Sequence, residues 1–378
     1  MADVMGVVYT SKDNLSMREL SASRALAAIP VAGRYRIIDF TLSNLVNSGV
    51  RSVGVIAQKN YHSLMGHLGS GKEWNLHTRS NGLSILPPFL TRENGGEYSG
   101  LVDALRANFD FLRRARHPYV IVTDSNYVAN ISFEGMIDQH LRTGADVTMM
   151  YIRVRPEHMD FARQDGITHS YLKIDDKGRV EDIEVNPNAA SYPNLSMNAF
   201  IIKRTLLIHL IDQAAARGAR SIDSEVLRSY IASGGLNVMG FEFTGYYRRI
   251  ETINGYFKFN MDLLKRDVRR ELFETRPIFT KTRDDAPAIY RHGAAVRNSL
   301  VADGCIIEGS VENCVLFRGV RVARGARLKD CIVMQDCYIE ENVEMENVIL
   351  DKEVTVRAHG RLIGQRQYPI VIGKNITL

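Results

Sequence analysis

A six-residue repeat of apolar side chains runs through the C-terminal part of the chain and restricts its fold more than any other feature. The clearest positions are Val301 and Ile307, then Val322, Leu328 and Met334, then Val333, Ile339 and Met345. Small or turn-forming residues separate them, namely Gly304, Gly309, Gly319, Gly325, Asn342 and Asn347. Strands this short cannot bury a face alone, so successive coils must stack and share one core. A β-sandwich would alternate with period two over longer runs, so the repeat predicts a parallel β-helix.

The preceding part of the chain shows a different pattern, in which short β-branched runs alternate with amphipathic stretches. The predicted buried strands are Met5–Tyr9, Ser52–Ala57, Tyr119–Thr123 and Val147–Ile152. Helical spacing connects Leu101, Val102, Leu105, Phe109 and Leu112, and also Met136, Ile137, His140 and Leu141. Strands that alternate with helices predict an α/β fold with a doubly wound, Rossmann-like parallel sheet. Ligands bind beyond the carboxyl ends of such strands, so we expect a site just after Tyr9, Ala57 and Thr123.

Composition restricts the classes of partner. With 45% hydrophobic and 24% charged residues the chain resembles an ordinary globular protein, and its formal net charge of +5 is modest. Lysine and arginine are dispersed rather than gathered in a long basic stripe, which argues against nucleic-acid binding. No apolar run reaches the roughly 20 residues that span a bilayer, and no signal-peptide pattern is evident. We therefore expect a cytoplasmic protein that binds neither nucleic acid nor membrane.

The four cysteines lie within the repeat, at Cys305, Cys314, Cys331 and Cys337. They form no CxxC pair, and no nearby histidine is spaced for a zinc site. In a reducing compartment disulfides are disfavoured. The spacing therefore predicts buried thiols in a repetitive core.

Sequence blocks in a fixed order carry a family resemblance. The longest is Gly33–Asn44, which reads Gly-Arg-Tyr-Arg-Ile-Ile-Asp-Phe-Thr-Leu-Ser-Asn and is followed by Asn47–Gly49. Further blocks are Ile56–Gln58, Gly82–Pro88, Tyr98–Gly100 with Asp103–Ala104, Gly245–Tyr247 and Asn260–Leu264. Together with the C-terminal repeat they make the chain similar to sugar-1-phosphate nucleotidyltransferases along nearly its whole length. The closest resemblance is to the ADP-glucose pyrophosphorylase group.

The resemblance implies three segments. Residues 1–267 form a nucleotidyltransferase-like α/β domain, closed by a helical pattern from about Thr252 to Asp267. Residues 268–290 are charged, carry two prolines and are predicted to be a linker. Residues 291–378 form a left-handed β-helix with an oligomerisation or regulatory role.

The loop after the first strand departs from the family pattern. The family has a glycine-rich loop there, which lets backbone amides approach nucleotide phosphates, and an arginine that neutralises developing charge. In this chain residues 10–16 contain no glycine, and Ser16 falls near the arginine position. Leu26 replaces a phosphate-facing lysine in the following Arg24–Ala28 segment. Lys12 could supply a replacement charge, although a solvated loop lysine is the simpler interpretation.

The metal-binding positions depart further. In the family two aspartates hold Mg²⁺ together with the phosphates. Asn126 stands at the first of these positions and Arg249 at the second. A guanidinium about 4 Å from a cation would repel it by about 4 kcal/mol at an intermediate dielectric. Asp124, two residues before Asn126, is the one candidate replacement ligand. We therefore expect no metal and no cofactor, unless Asp124 rescues an Mg²⁺ site.

The sugar-phosphate positions are altered as well. The family's Glu-Lys-Pro becomes Val185-Asn186-Pro187, which removes a sugar contact and a phosphate-binding lysine. The Ser-Met-Gly stretch becomes Ser196-Met197-Asn198. Altered phosphate, metal and sugar positions among intact framework blocks predict that the fold is kept and catalysis is lost.

The leading prediction is a regulatory, catalytically deficient subunit of glucose-1-phosphate adenylyltransferase in bacterial glycogen synthesis. By resemblance, such a subunit joins an active homologous subunit in a heterotetramer, forms a homo-oligomer when isolated and responds to sugar-phosphate or nucleotide effectors. The alternative is an active sugar-1-phosphate nucleotidyltransferase with a non-standard metal site that uses Asp124, Asp103 and Lys12.

Two sets of residues are candidate binding sites. A relict nucleotide or sugar pocket would contain Gln58, Gly100, Asp103, Asp124 and Ser196. A candidate effector site for anions would contain Arg34, Arg36, Arg51 and His62. Pairing with nearby acidic residues is an equally good explanation for Arg34 and Arg36.

Overall fold

The protein is described here from a computed structural model that covers residues 3–10, 15–78, 81–88, 98–154 and 169–378. It divides into two compact units. The first, which we call the α/β unit, comprises Met1–Lys12, Thr41–Ser125 and Ala129–Gly245. The second, the β-helix unit, comprises Asp13–Phe40, Asn126–Val128 and Tyr246–Leu378. The predicted boundaries at 267 and 290 remain a prediction about domains.

Regular elements alternate along the chain up to residue 288. The strands are β1 (Val4–Tyr9), β2 (Pro30–Val31), β3 (Tyr35–Arg36), β4 (Val53–Ile56), β5 (Leu83–Leu86), β6 (Tyr119–Asp124), β7 (Tyr127–Val128), β8 (Val147–Arg153), β9 (Ser170–Ile174), β10 (Val180–Val185), β11 (Asn194–Lys203), β12 (Val238–Glu242) and β13 (Arg248–Arg249). The helices are α1 (Ile37–Asn47), α2 (His62–Leu68), α3 (Leu101–Ala107), α4 (Phe109–Arg114), α5 (Glu134–Thr143), α6 (Arg204–Ala216), α7 (Arg228–Ala232), α8 (Ile253–Asp262) and α9 (Arg266–Arg269). Short helical turns cover Leu15–Leu20, Leu26–Ala28, Lys72–Trp74, Ile222–Leu227 and Arg270–Glu274.

The α/β unit is built on one mixed sheet with the strand order β10-β9-β11-β6-β1-β4-β5; β8 branches from β11, and β12 pairs with β8. Strand β1 pairs in parallel with both β4 and β6, as the buried runs predicted. Strand β11 runs antiparallel to β6, so the sheet is not parallel throughout. Apolar residues of α3, α6 and the sheet form the core of this unit. The carboxyl ends of β1, β4 and β6 therefore lie side by side.

The helical spacing from Leu101 to Leu112 predicted one helix, whereas two are present. The break is at Asn108, whose side-chain amide donates to the carbonyl of Ala104 at 2.8 Å and to the hydroxyl of Tyr98 at 3.2 Å. An asparagine that bonds local backbone groups competes with the helical ladder. The apolar period survives the break because both helices present their apolar residues to the same core.

The C-terminal part forms a left-handed parallel β-helix. Its strands are β14 (Ile289–Tyr290), β15 (Ala295–Arg297), β16 (Leu300–Val301), β17 (Ile306–Ile307), β18 (Ser310–Glu312), β19 (Val315–Leu316), β20 (Arg321–Val322), β21 (Arg327–Lys329), β22 (Ile332–Val333), β23 (Tyr338–Ile339), β24 (Glu344–Glu346), β25 (Val348–Leu350), β26 (Thr355–Val356), β27 (Arg361–Ile363) and β28 (Ile370–Ile372). Every third strand joins one of three five-stranded parallel sheets. The six-residue repeat thus predicted this architecture correctly.

The corners of the β-helix need left-handed backbone, which explains the small and amide residues of the repeat. Gly319 and Gly325 have φ of 69° and 78°. A Cβ on Gly325 would lie 2.2 Å from the Oδ1 of Asn342, which occupies the same corner of the next coil. Asn342 itself has φ of 56°, a region that asparagine tolerates better than most residues.

One of the three sheets, formed by β16, β19, β22, β25 and β28, is apolar on both faces. Its inner row, which faces the β-helix core, is Val301, Leu316, Val333, Leu350 and Ile372. Its outer row is Leu300, Val315, Ile332, Ile349 and Val371. The outer row packs with apolar residues of 17–40 and of 253–278. Each such buried side chain contributes about 1.5–3 kcal/mol, so these segments and the β-helix form one core.

The segment predicted to be a linker has more structure than its charge suggested. It begins in helical turns at Arg266–Arg269 and Arg270–Glu274, and Leu272 is fully buried. The four cysteines are buried free thiols, as predicted. Burial raises the pKa of the Cys305 thiol to about 11, which leaves it protonated and unreactive at neutral pH. Within the ranges described above, no helix has the length and apolar character needed to cross a membrane.

Candidate functional site

Asp124 ends strand β6 in the α/β unit, at the sheet edge where a ligand was expected. Its carboxylate is 8% exposed and its Oδ2 accepts a hydrogen bond from the side-chain amide of Asn198 at 2.8 Å. The backbone N–H of Asn198 donates in turn to the hydroxyl of Ser196 at 3.2 Å. The candidate replacement ligand is therefore engaged by a side chain that the sequence had marked as altered.

Gln58 follows strand β4 and is 2% exposed. Its amide nitrogen donates to the hydroxyl of Tyr9 at 2.9 Å, and its amide oxygen accepts from the backbone N–H of Tyr98 at 3.3 Å. Burial, followed by the charge of Asp124, raises the pKa of Tyr9, so its hydroxyl stays neutral. Both ends of the Gln58 amide thus have partners inside the unit.

Gly100 and Asp103 lie at the start of α3. The Oδ2 of Asp103 accepts from the backbone N–H of Ser99 at 2.9 Å, which fixes the turn before the helix. Gly100 allows a close approach, since a Cβ there would lie 2.3 Å from the carbonyl oxygen of Arg220. These two predicted pocket residues have structural roles that explain them without a ligand.

Val185 and Asn186 stand at the end of β10. Asn186 has φ of 46° and exchanges hydrogen bonds with His169, donating from its N–H at 2.9 Å and accepting at its Oδ1 at 2.6 Å. Val185 is half-buried against the core of the α/β unit. Neither residue offers the positive charge that a phosphate requires.

In the β-helix unit, strands β7 and β13 bring together the two positions at which the family resemblance places metal ligands. Arg249 pairs with Tyr127, and the N–H of Ile250 donates to the carbonyl of Asn126 at 2.7 Å. The Arg249 guanidinium contacts the Oε1 of Glu251 at 2.8 Å. Asn126 donates its side-chain amide to the same oxygen. The three side chains form one cluster, which we call the Arg249 cluster.

The Arg249 cluster is buried, and its three described side chains carry one positive and one negative charge. Asn126 is 2% exposed, and the side chains of Arg249 and Glu251 are 11% and 9% exposed. The Oε1 of Glu251 already holds a guanidinium and an amide, and a divalent cation at this carboxylate would approach the fixed positive charge of Arg249. Among the described residues, no three or more His, Cys, Asp or Glu side chains are grouped to hold a metal ion.

The remaining altered phosphate positions also belong to the β-helix unit. Leu26 is buried in the core that contains the outer row of the two-faced sheet. Ser16 is half-buried in a helical turn and makes interactions of its own. Lys12 lies outside the described residues. Leu26 therefore serves packing where the family resemblance would place a phosphate ligand.

A second cluster in the β-helix unit, which we call the basic cluster, has a surplus of positive charge. Among the described residues its members are Arg24, Arg36, Arg283, Lys352 and Lys374, with Asp39, Asp351 and Glu353 as the acidic side chains; Glu353 contacts Lys374 at 3.7 Å. Burial, followed by the charges of Arg36 and Arg24, lowers the pKa of Lys352 to about 8. Burial likewise lowers the pKa of Arg36 to about 10. Cations held close together in this way favour an anion.

The predicted effector residues are divided between the units. Arg36 belongs to the basic cluster, and Arg34 is exposed, with its guanidinium 5.8 Å from the ring centre of Tyr35. Arg51 and His62 are exposed residues of the α/β unit. Of the four, Arg36 has the electrostatic surroundings that an anion site requires.

Sequence reasoning missed several residues of these clusters. Glu251 was not recognised as the partner of Arg249, although opposite charges two apart on a strand share a face. Arg24 pairs with Asp351, which lies 327 residues away. Lys352 and Lys374 carry no local signal of their roles, because surface lysines are common in a β-helix.

Two family models match the chain. The model described as nucleotidyl transferase matches residues 16–266, which is more than half of the chain. The model described as GlmU-like, C-terminal hexapeptide matches residues 285–367. The first match covers the part of the chain with the α/β sequence pattern, and the second covers the six-residue repeat.

Curated relatives match nearly the full length. The glycogen biosynthesis protein GlgD of Bacillus subtilis (strain 168) is 34% identical over 378 residues, which covers 99% of this chain and 96% of the relative. A glucose-1-phosphate adenylyltransferase of Acetivibrio thermocellus is 33% identical over 363 residues, which covers 95% and 83%. A glucose-1-phosphate adenylyltransferase of Clostridium perfringens (strain SM101 / Type A) is 30% identical over 340 residues, which covers 89% and 86%.

Proposed function

The chain belongs to the nucleotidyl transferase family and, within it, to the ADP-glucose pyrophosphorylase group, and from that premise we propose that it is a regulatory, catalytically deficient subunit of glucose-1-phosphate adenylyltransferase. In this role it would act in bacterial glycogen synthesis in the cytoplasm. It would modulate an active homologous subunit that makes ADP-glucose from ATP and glucose 1-phosphate.

The Arg249 cluster is the observation that carries the proposal. In-line displacement at a phosphorus needs a cation beside the phosphates to stabilise the developing charge. At the two positions given to metal ligands by resemblance, this chain has an amide and a guanidinium, both bound to Glu251. Arg249 places a fixed positive charge beside the carboxylate of Glu251, which opposes the binding of Mg²⁺ and adds to the loss of its water shell.

A regulatory role requires contacts that differ between the active and inactive states of the partner. The basic cluster supports such a role, because an anionic effector bound there would contact both residues of the 13–40 segment and residues of the β-helix. Sugar phosphates and nucleotides carry the required charge. We further propose that the chain forms a heterotetramer with the active subunit and a homo-oligomer when isolated.

The first experiment measures Mg²⁺-dependent ADP-glucose formation by the isolated chain from ATP and glucose 1-phosphate. We expect no rate above that of the enzyme-free mixture. A measurable rate that Asp124→Ala abolishes would overturn the proposal in favour of the active alternative. Asp110→Ala is the matched control, since Asp110 is an exposed carboxylate in the same unit.

The second experiment combines the chain with the homologous active subunit from the same organism. We expect a co-purifying complex whose rate or effector dependence differs from that of the active subunit alone. An unchanged rate and unchanged effector dependence in the mixture would contradict the regulatory role. The Arg36→Gln variant should form the same complex but change its effector dependence.

A further inference from the structure

Two side chains of the α/β unit occupy the sheet edge at which a doubly wound fold binds its ligand. Tyr9 is the last residue of β1 and pairs in register with Ile56 of β4 and Asp124 of β6. It therefore lies at the centre of the edge formed by the three carboxyl ends. Asn198 reaches the same edge from β11, where its amide contacts Asp124.

The hydroxyl of Tyr9 is hydrogen-bonded to Gln58, the side chain that would recognise a nucleobase. An amide side chain has a donor and an acceptor side by side, which suits the edge of a nucleobase. In Gln58 the donor is directed to the Tyr9 hydroxyl at 2.9 Å and the acceptor to the Tyr98 N–H at 3.3 Å. A base could bind Gln58 only after the Tyr9 hydroxyl had left.

Asn198 engages Asp124 through a local feature of β11. The register between β11 and β8 shifts between Ser196 and Ala199, and Asn198 within this bulge has φ of 51°. A glycine would adopt that conformation without strain and would leave Asp124 without the amide contact. The side chain of Asn198, rather than the backbone, therefore closes this half of the edge.

We infer that Tyr9 and Asn198 are built-in occupants that close this site to a nucleoside phosphate. Tyr9 takes the place of the base on Gln58, and Asn198 takes the place of a ligand's donor group on Asp124. The inference rests on the proposed function, because a catalytically deficient subunit does not need this pocket to be open to a nucleotide. Removal of both side chains should reopen the site to binding without restoring catalysis, since the Arg249 cluster remains.

Titration calorimetry with ATP, on the full chain without Mg²⁺, tests the inference. The variants are Tyr9→Ala, Asn198→Gly and the double substitution. We expect no saturable heat from the unmodified chain at about 1 mM ATP, and at least about tenfold tighter binding by the double variant. Each single variant should fall between the two, because each opens one half of the edge.

The chain offers matched controls for both substitutions. Tyr230 forms another tyrosine–glutamine pair in the same unit, its hydroxyl 2.6 Å from the Oε1 of Gln213. Asn194 lies on β11 like Asn198, but its amide donates to the carbonyl of Leu172 at 3.0 Å. Tyr230→Ala and Asn194→Gly should leave ATP binding unchanged. Trp74, the single tryptophan of the chain, is fully buried in this unit and reports by fluorescence that every variant is folded.

Three results would overturn the inference: tight ATP binding by the unmodified chain, no gain in a folded double variant, or an equal gain in the control variants. The proposed function fails separately, if the unmodified chain makes ADP-glucose. A chain that is inactive and whose double variant fails to bind ATP would thus refute the built-in occupants alone.

Discussion

The Arg249 cluster and the basic cluster belong to the same unit but differ in their balance of positive and negative charge. The Arg249 cluster balances one guanidinium with one carboxylate and adds a neutral amide. Among the described residues, the basic cluster sets five cations against three carboxylates, and the pKa of Lys352 falls to about 8 through burial and then through the charges of Arg36 and Arg24. Among the described residues, the charges of the first cluster pair one to one, whereas the cations of the second outnumber its carboxylates.

This difference distinguishes a site that does not favour a metal ion from a site that favours an anion. A buried carboxylate that already pairs with a guanidinium attracts a further cation weakly, because the guanidinium charge opposes that cation. A group of cations held together by the fold gains when an anion lowers their mutual repulsion. If the proposed function is correct, ligand dependence in this chain should follow the basic cluster, and stability should follow the Arg249 cluster. The four predictions below test this comparison.

Arg249→Met should have the largest effect, because it leaves the carboxylate of Glu251 buried without its cation. We expect a loss of about 3–5 kcal/mol in the free energy of unfolding, measured by urea denaturation. The double variant Arg249→Met with Glu251→Met should recover most of that loss. Arg248→Met is the control, since the Arg248 side chain is 30% exposed and should cost less. Equal losses in the single and double variants would show that the ion pair is not the relevant feature.

Asp351→Asn should come next, because it removes the buried carboxylate that pairs with Arg24. We expect the free energy of unfolding to fall by about 2–3 kcal/mol in low salt. Added sulfate should raise the melting temperature of this variant more than that of the unmodified chain, as it supplies the missing negative charge. The Asp110→Ala variant should show no such gain. If sulfate stabilised both chains equally, the cluster would not be an anion site.

The sulfate affinity of the chain should depend on pH through Lys352. Burial and neighbouring cations lower its pKa to about 8, so Lys352 is protonated below that pH and neutral above it. Affinity should therefore be full at pH 7 and fall by up to about tenfold at pH 9. Without an anion, stability has the opposite pH dependence. Because the pKa of Lys352 is lower in the folded chain than in the unfolded chain, the free energy of unfolding should increase as the pH rises from 8. Calorimetry across this range measures the first effect, and Lys352→Arg should remove the pH step. A step that persists in this variant would have another source.

Arg51→Gln should have the smallest effect of the series. Arg51 is exposed and belongs to the α/β unit, whereas Arg36 and Lys352 are half-buried beside other cations of the basic cluster. We expect sulfate affinity to change by less than about twofold, because exposed charges are well screened. Arg36→Gln, measured in parallel, should lower it at least about tenfold. If Arg51→Gln lowered sulfate affinity more than Arg36→Gln, the anion site would instead be at Arg51 and His62.

Much of the fold could be predicted because its signals are local. The run Tyr119–Thr123 predicted β6, which ends at Asp124, and the six-residue repeat predicted all three sheets of the β-helix. The antiparallel direction of β11 was not predicted, since strand direction depends on which distant strand it joins. The break at Asn108 was missed because its hydrogen bonds do not alter the apolar period.

The candidate sites were less predictable. Asn126 and Arg249 could be marked as altered by counting from family blocks, and the structure brings both to Glu251. That meeting requires the β7–β13 pairing, which no local pattern of two-residue strands reveals. The contact between Asn198 and Asp124 depends on a bulge, which shifts a side chain without a periodic signal in the sequence. The sequence therefore revealed which residues were altered, but not which residues they contact.

The two-faced sheet of the β-helix has a consequence for the order of synthesis. Apolar residues of 17–40 share a core with the outer row of that sheet, whose last strand ends at Ile372. The early segment therefore leaves the ribosome long before its packing partners exist. At ~5–20 residues per second that delay is roughly 20 to 70 s. During this time Met17, Ile29 and Val31 lack these packing partners, so the β-helix unit can finish folding only after Ile372 has been synthesised.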